Sequence, residues 1–95
     1  MTKQVEAIVI DARDNVATSI RALAAGDRCE TERGAILLAS DVPFGHKFAL
    51  DEIPAGAHVI KYGAPIGRAT RLIRQGEHVH VHNVQDITDE VRKGV

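Results

Sequence analysis

Ninety-five residues make one domain, spanning 1–95, with no room for a second. A formal net charge of −1 argues against binding along a phosphate backbone, and the aromatic residues, only Phe44, Phe48 and Tyr62, are too few for a single-strand stacking platform, so no nucleic-acid partner is expected. No apolar run approaches the ~20 residues that span a bilayer, no apolar leader-type segment opens the chain, and the lone Cys29 excludes an internal disulfide; no membrane partner is expected, and the expected location is the cytoplasm.

In chain order, Val5 to Ile10 is a short, β-branched apolar run and reads as a strand. Asp14 or Asn15 then stands where a cap would open a short helix, with Val16, Ile20 and Leu23 along one face and Gly26 at its end. Asp27–Thr31 and Ala35–Leu38 flank Glu32-Arg33-Gly34 as a hairpin. Pro43-Phe44-Gly45 is a turn that leads into an extended segment from His46 to Leu50. Ala57 to Tyr62 reads as a strand, Gly63-Ala64-Pro65 as a turn, and Ile66 to Ile73 as either strand or helical turn. Glu77 to Val84 alternates, with His78, His80 and His82 on one face and Val79, Val81 and Asn83 on the other. Residues 86–95 are charged and lack apolar periodicity, which predicts a frayed or partner-docking tail.

One device recurs three times: Leu23-Ala-Ala-Gly26-Asp-Arg-Cys29, Ile53-Pro-Ala-Gly56-Ala-His-Val59 and Ile73-Arg-Gln-Gly76-Glu-His-Val79. A small residue stands seven places before each glycine: Ser19, Ala49 and Ala69. This predicts a buried aliphatic anchor, a left-handed glycine and a strand returning to the core. The spacings are unequal, which excludes a solenoid. The expected fold is mainly β, a folded-over unit of short strands with tight glycine turns and one or two short helices.

Several residues have the chemistry of a site. Two imidazoles two residues apart on a strand lie ~6.5 Å apart and suit a divalent transition ion; a solvated edge strand is the plain alternative for the histidine triplet. His46 and Lys47 follow the turn at Gly45, where a proton-transfer group and a carboxylate-binding cation would reach a ligand. Lys61-Tyr62-Gly63 and Pro65-Ile66-Gly67-Arg68 form a double turn, in which Gly63 permits close approach of backbone to a ligand and Tyr62 offers a hydroxyl. Asp14 and Asn15 read either as a polar cluster near that ligand or as caps. Cys29 reads as a small buried hydrophobe.

Four ordered motifs carry a family resemblance: Asp14-Asn15-Val16-Ala17, Gly45-His46-Lys47-x-Ala49-Leu50, Ile60-Lys61-Tyr62-Gly63-x-Pro65-Ile66-Gly67, and Gly76-Glu77-His78-Val79-His80-x-His82-Asn83. From about Val5 to Val84 the chain resembles the N-terminal SAF domain of the altronate and galactarate dehydratases. The resemblance implies a β-clip fold and a small subunit acting with a separate large catalytic subunit on a small anionic sugar acid. It also implies a divalent metal, iron or manganese, in the assembled enzyme, with ligands expected from another chain as well as this one. The carried-over roles are catalysis for His46 and Lys47, substrate binding for Asp14, Asn15, Tyr62, Gly63 and Arg68, and metal ligation for His80 and His82. The small subunit of sulfolactate sulfo-lyase is similar in the same motifs and stands as an alternative, as does a non-catalytic module that binds a sugar acid or a partner. Exposed strand edges leave self-association open as well.

Overall fold

The computed structural model of the chain describes residues 5–87. All regular structure among them is extended: β1 (Ala7–Ile8), β2 (Val16–Ser19), β3 (Arg28–Thr31), β4 (Gly34–Leu37), β5 (Lys47–Ala49), β6 (His58–Lys61), β7 (Ala64–Ala69), β8 (His78–Val79) and β9 (Val84–Gln85). These make three small antiparallel sheets, ordered β1-β2-β5-β8, β3-β4 and β6-β7-β9. The mainly β architecture follows the expectation, but no helix occurs among the described residues. The segment expected to be helical after Asp14 is strand β2. Asn15 decides this, because its side-chain oxygen accepts the Ile60 N–H at 2.7 Å while its amide donates to the His58 carbonyl at 3.0 Å. The chain therefore leaves Asn15 fixed alongside β6, and Val16, Ala17 and Ser19 are all buried as it runs on between two neighbours.

The three glycine corners form as the sequence predicts. Gly26, Gly56 and Gly76 have φ of 89°, 85° and 86°. Their anchors Leu23, Ile53 and Ile73 are buried, as are the returning residues Cys29, Val59 and Val79. A fourth corner, Val42-Pro-Phe-Gly45-His-Lys-Phe48, has the same form, with Gly45 at φ 80° and both Val42 and Phe48 fully buried. Adding it explains the uneven spacing. Gly26 to Gly56 is 30 residues and Gly45 to Gly76 is 31, so the chain is built from two interleaved halves of similar length. The corners meet in pairs: Leu23 and Val42 exchange backbone hydrogen bonds of 2.9 and 2.8 Å, and Ile53 and Ile73 exchange bonds of 2.7 and 2.8 Å.

Each half has its own core. Leu23, Cys29, Leu38, Val42 and Phe48 lie in one cluster, and Ile53, Val59, Ala69, Ile73 and Val79 in the other. The central strand pair joins them. Ala17 opposite Phe48 points into the first core, and Val16 opposite Ala49 points into the second. Successive side chains on a strand leave opposite faces, so two strands serve two cores. Burial pushes the Cys29 thiol up to about 11, and it stays a protonated, packed side chain at neutral pH. Of the charged tail, Asp86 and the buried Ile87 are described, and the expectation for residues 88–95 lies outside the described residues.

Candidate functional site

Strands β5 and β8 bring the histidines together. Their register pairs Lys47 with Val79 and Phe48 with His78, and His46 and His80 stand just beyond the last paired residues at the same end. Residues 46 and 48 share a face, as do 78 and 80, so three imidazoles gather on one side of the sheet edge. The His46 and His80 ring centroids are 4.4 Å apart, and those of His46 and His78 are 5.1 Å apart. His46 Nδ1 and His78 Nε2 are 2.9 Å apart and share one proton, donor and acceptor being set by complementary tautomers. One ring nitrogen from each of His46, His78 and His80 lies within 4.8 Å of the others. Burial holds His78 below the ordinary histidine range, and the neighbouring imidazoles of His46, His82 and His80 act in the same direction. His82 is not in this set; its ring is tilted against His78 at 5.3 Å.

The alternation expected through Glu77–Val84 ends early. β8 stops at Val79, and Val81 is 82 % exposed while Asn83 is fully buried. Asn83 causes the bend. Its side-chain oxygen accepts the His80 N–H at 2.9 Å, its amide donates to the His78 carbonyl at 2.9 Å, and its backbone N–H donates to the His80 carbonyl at 3.1 Å. Side chains of this type compete with the ladder for backbone groups and close a loop instead.

Lys47 leaves the strand on the face opposite His46, as neighbours on a strand must. It lines a cleft of about 310 Å³ with Ile66, Val79, His80, Val84 and Asp86, a cleft that does not include His46. Thus His46 and Lys47, expected at one mouth, serve two faces of the sheet edge, and His80 connects them. Burial pushes the half-buried Lys47 ammonium below the usual lysine range, and the nearby Lys61 charge pushes it the same way. Among the described residues no carboxylate forms an ion pair with Lys47 or Lys61. Lys61 instead stands 4.7 Å from the Tyr62 ring centroid, within cation–π range. Lys61 and Tyr62 line a smaller neighbouring cleft with Thr18, and Thr18 is the cross-strand partner of Lys47.

The other expected site residues are largely engaged by the backbone. Asp14 is buried, and its carboxylate accepts N–H groups from Gly63 at 2.8 Å, Asp11 at 3.1 Å and Ile10 at 3.3 Å. Burial alone would raise its pKa. The N–H donors of Gly63, Asp11, Tyr62 and Ile10 outweigh that and hold it below the usual carboxylate range. Asn15 clamps β6 as described. Gly63, at φ 72°, takes the turn that presents its N–H to Asp14, and Tyr62 before it has φ 56° and is 59 % exposed. The Arg68 guanidinium bonds the Gly56 carbonyl and lies 3.2 Å from His58 Nε2, tying the β6–β7 hairpin to the Ile53 corner. Arg33, which sequence reasoning passed over as a hairpin residue, donates to the carbonyls of Asp11, Ala12 and Asp14 and closes the same loop from outside. His78 was visible as a member of the alternating triplet, but its pairing with His46 depends on a strand register that no local spacing encodes.

A family model described as the altronate/galactarate dehydratase SAF domain matches residues 5–87. The altronate dehydratase of Escherichia coli (strain K12) is 49 % identical over 78 residues, which cover 82 % of this chain and 16 % of that enzyme. The altronate dehydratase of Bacillus subtilis (strain 168) is 36 % identical over 85 residues, 90 % of this chain and 17 % of the enzyme. The (2R)-sulfolactate sulfo-lyase subunit alpha of Chromohalobacter salexigens is 54 % identical over 44 residues, 46 % of this chain and 47 % of that subunit. The chain therefore spans only a small part of the altronate dehydratases it matches.

Proposed function

Because the chain belongs to the altronate/galactarate dehydratase SAF domain family, we propose that it is the small SAF component of a sugar-acid hydro-lyase, acting in the cytoplasm with a larger catalytic region. The observation that carries this reading is Lys47. A half-buried ammonium with a second lysine beside it, in a cleft that Asp86 lines without forming an ion pair to it, is placed to take a bound carboxylate. Elimination beside a carboxylate builds negative charge as the C–H proton leaves, and a fixed cation at the substrate carboxylate lowers the cost of that charge. On this reading Lys47 and Lys61 hold and orient the acid, with the Tyr62 hydroxyl at the rim. The larger region supplies the acceptor for the C–H proton. That larger region corresponds to the greater part of the altronate dehydratases, which this chain does not cover.

A divalent iron or manganese ion belongs to the same reading. The residues fit such a group: His46, His78 and His80 offer three imidazole nitrogens, a donor set suited to first-row transition metals. When bound, such an ion supplies Lewis-acid stabilisation of the developing charge.

The sulfo-lyase reading is favoured by one observation. Its relative, itself called a subunit, is 54 % identical over the 44 residues matched, against 49 % and 36 % for the two altronate dehydratases over their longer matches. Both readings take an anionic acid through Lys47 and differ in the leaving group, hydroxide or sulfite. The test assays the chain with its larger partner on altronate, galactarate and (2R)-sulfolactate. Lys47→Ala is expected to lower kcat/KM by roughly ten- to a hundredfold, through both KM and kcat, while Lys47→Arg retains part of it. Unchanged kcat/KM in Lys47→Ala would remove the assignment. Turnover of sulfolactate alone would select the second reading.

A further inference from the structure

We propose that His46, His78 and His80 form a transition-metal site that belongs to this chain alone and needs no ligand from a partner. This rests on the metal part of the lyase reading and adds, from geometry, that this chain holds the ion unaided. Three imidazoles converge from two strands locked by a common register, with His46 and His78 nitrogens 2.9 Å apart and all three donor atoms within 4.8 Å. Nitrogens bound to one ion at ~2.0–2.1 Å lie roughly 3 Å apart, so His46 and His78 already stand at ligating separation and His80 must close in. His80 is held near them by Asn83, which grips the backbone on both sides of Val79-His80. Asn83 is thus a positioning residue for the third imidazole.

The chemistry of the set selects the ion. Three neutral nitrogens and no carboxylate suit zinc, iron, cobalt or nickel, and suit magnesium or calcium poorly. Ligation replaces the His46–His78 hydrogen bond. The donor ring changes tautomer: it gives up the shared proton and takes one from solvent on its other nitrogen, so no net proton is released and all three rings ligate as neutral imidazoles. This assigns His46 to the ion instead of to proton transfer. Three protein ligands leave the remaining coordination positions open on the side of the sheet edge, where water or an oxygen of a bound acid completes the shell.

The test uses the untagged chain and cobalt(II), whose visible absorption reports imidazole coordination directly. The expected result is a saturable 1:1 titration that zinc reverses and a large excess of magnesium does not. His46→Ala and His80→Ala are each expected to weaken binding at least tenfold, while His58→Ala and His82→Ala stay within about twofold. Asn83→Ala is expected to weaken it less than loss of a ligand does. Thermal melts of each variant separate lost binding from lost folding, and His46→Gln serves where the alanine variant melts early. Absence of a cobalt band in the wild-type chain, or equal losses at His82 and His46, overturns the site. Metal binding without sugar-acid turnover in the assembled protein would count against the lyase reading and leave the site standing; the opposite pair of results would do the reverse.

Discussion

Gly76→Ala is expected to destabilise the fold by about 3 kcal/mol, while the same change at Gly26 or Gly56 is expected to cost about 1 kcal/mol. The three glycines occupy equivalent corners and nearly equal φ values, so the left-handed strain of an added Cβ is common to all. Their surroundings differ. A Cβ at Gly26 or Gly56 would meet nothing within 4 Å. At Gly76 it would stand 2.2 Å from the Leu37 carbonyl oxygen and 3.1 Å from the Ala39 nitrogen. Those are backbone atoms held in place: the Gly76 carbonyl accepts the Ala39 N–H at 2.9 Å, and the Gly76 N–H donates to the Ala49 carbonyl at 2.9 Å. The corner cannot move without breaking the bonds that join one half of the chain to the other. Urea denaturation of the three alanine variants checks this, with the Gly76 midpoint expected well below the other two. A domain of this size loses roughly 4–8 °C of melting temperature per kcal/mol, so the Gly76 variant should melt roughly 12–24 °C lower. Three equal losses would mean that φ alone sets the cost.

Asp14→Asn is expected to cost a similar amount, about 3 kcal/mol, without any change in volume. The buried carboxylate accepts N–H groups from Ile10, Asp11 and Gly63, and an amide turns one of its two acceptor atoms into a donor facing those hydrogens. The loss would loosen the β1–β2 loop from the β6–β7 turn together. The pH dependence follows from the direction of the shift. The folded pKa lies below the ordinary 3.8, so the contribution is fully present above that value and is lost as pH falls through the folded pKa. Wild-type stability should fall with acidification below about pH 3.8, and Asp14→Asn should remove that part of the slope. Denaturation midpoints of both proteins at neutral pH and near pH 3 measure it. A variant as stable as wild type at neutral pH would make Asp14 dispensable and return it to consideration as a ligand-facing group.

The corners were readable because each is a local pattern: an anchor, a glycine three residues on, a core residue three further. The fourth escaped because Pro43-Phe44-Gly45 looks like an ordinary surface turn, and only its buried neighbours Val42 and Phe48 reveal it as a corner. The helix expected after Asp14 failed for a different reason. Asp and Asn before an apolar run have the form of a cap, yet Asp14 bonds backward to Ile10 and Asp11, and the other partners of the pair are 43 to 49 residues away, at His58, Ile60 and Gly63. Long-range bonds overrode local preference. The candidate site divided the same way. His46 and Lys47 stood out through their turn, but a strand sends neighbours to opposite faces, and which face carries His78 and His80 depends on how β8 registers on β5. His80 and His82 looked equivalent by spacing until Asn83 bent the chain between them.

The loop closed by Asn83 has a bearing on recognition itself. The His78 carbonyl, both backbone groups of His80 and the Asn83 N–H are satisfied from within, and the Thr70 N–H fastens its base through the Asn83 carbonyl at 3.0 Å. The ordering entropy of that segment is therefore spent during folding and need not be spent again at encounter. Whatever docks at this edge meets a rigid template, and the thermodynamic signature of association should be that of lock-and-key contact, with little heat-capacity change from coupled folding.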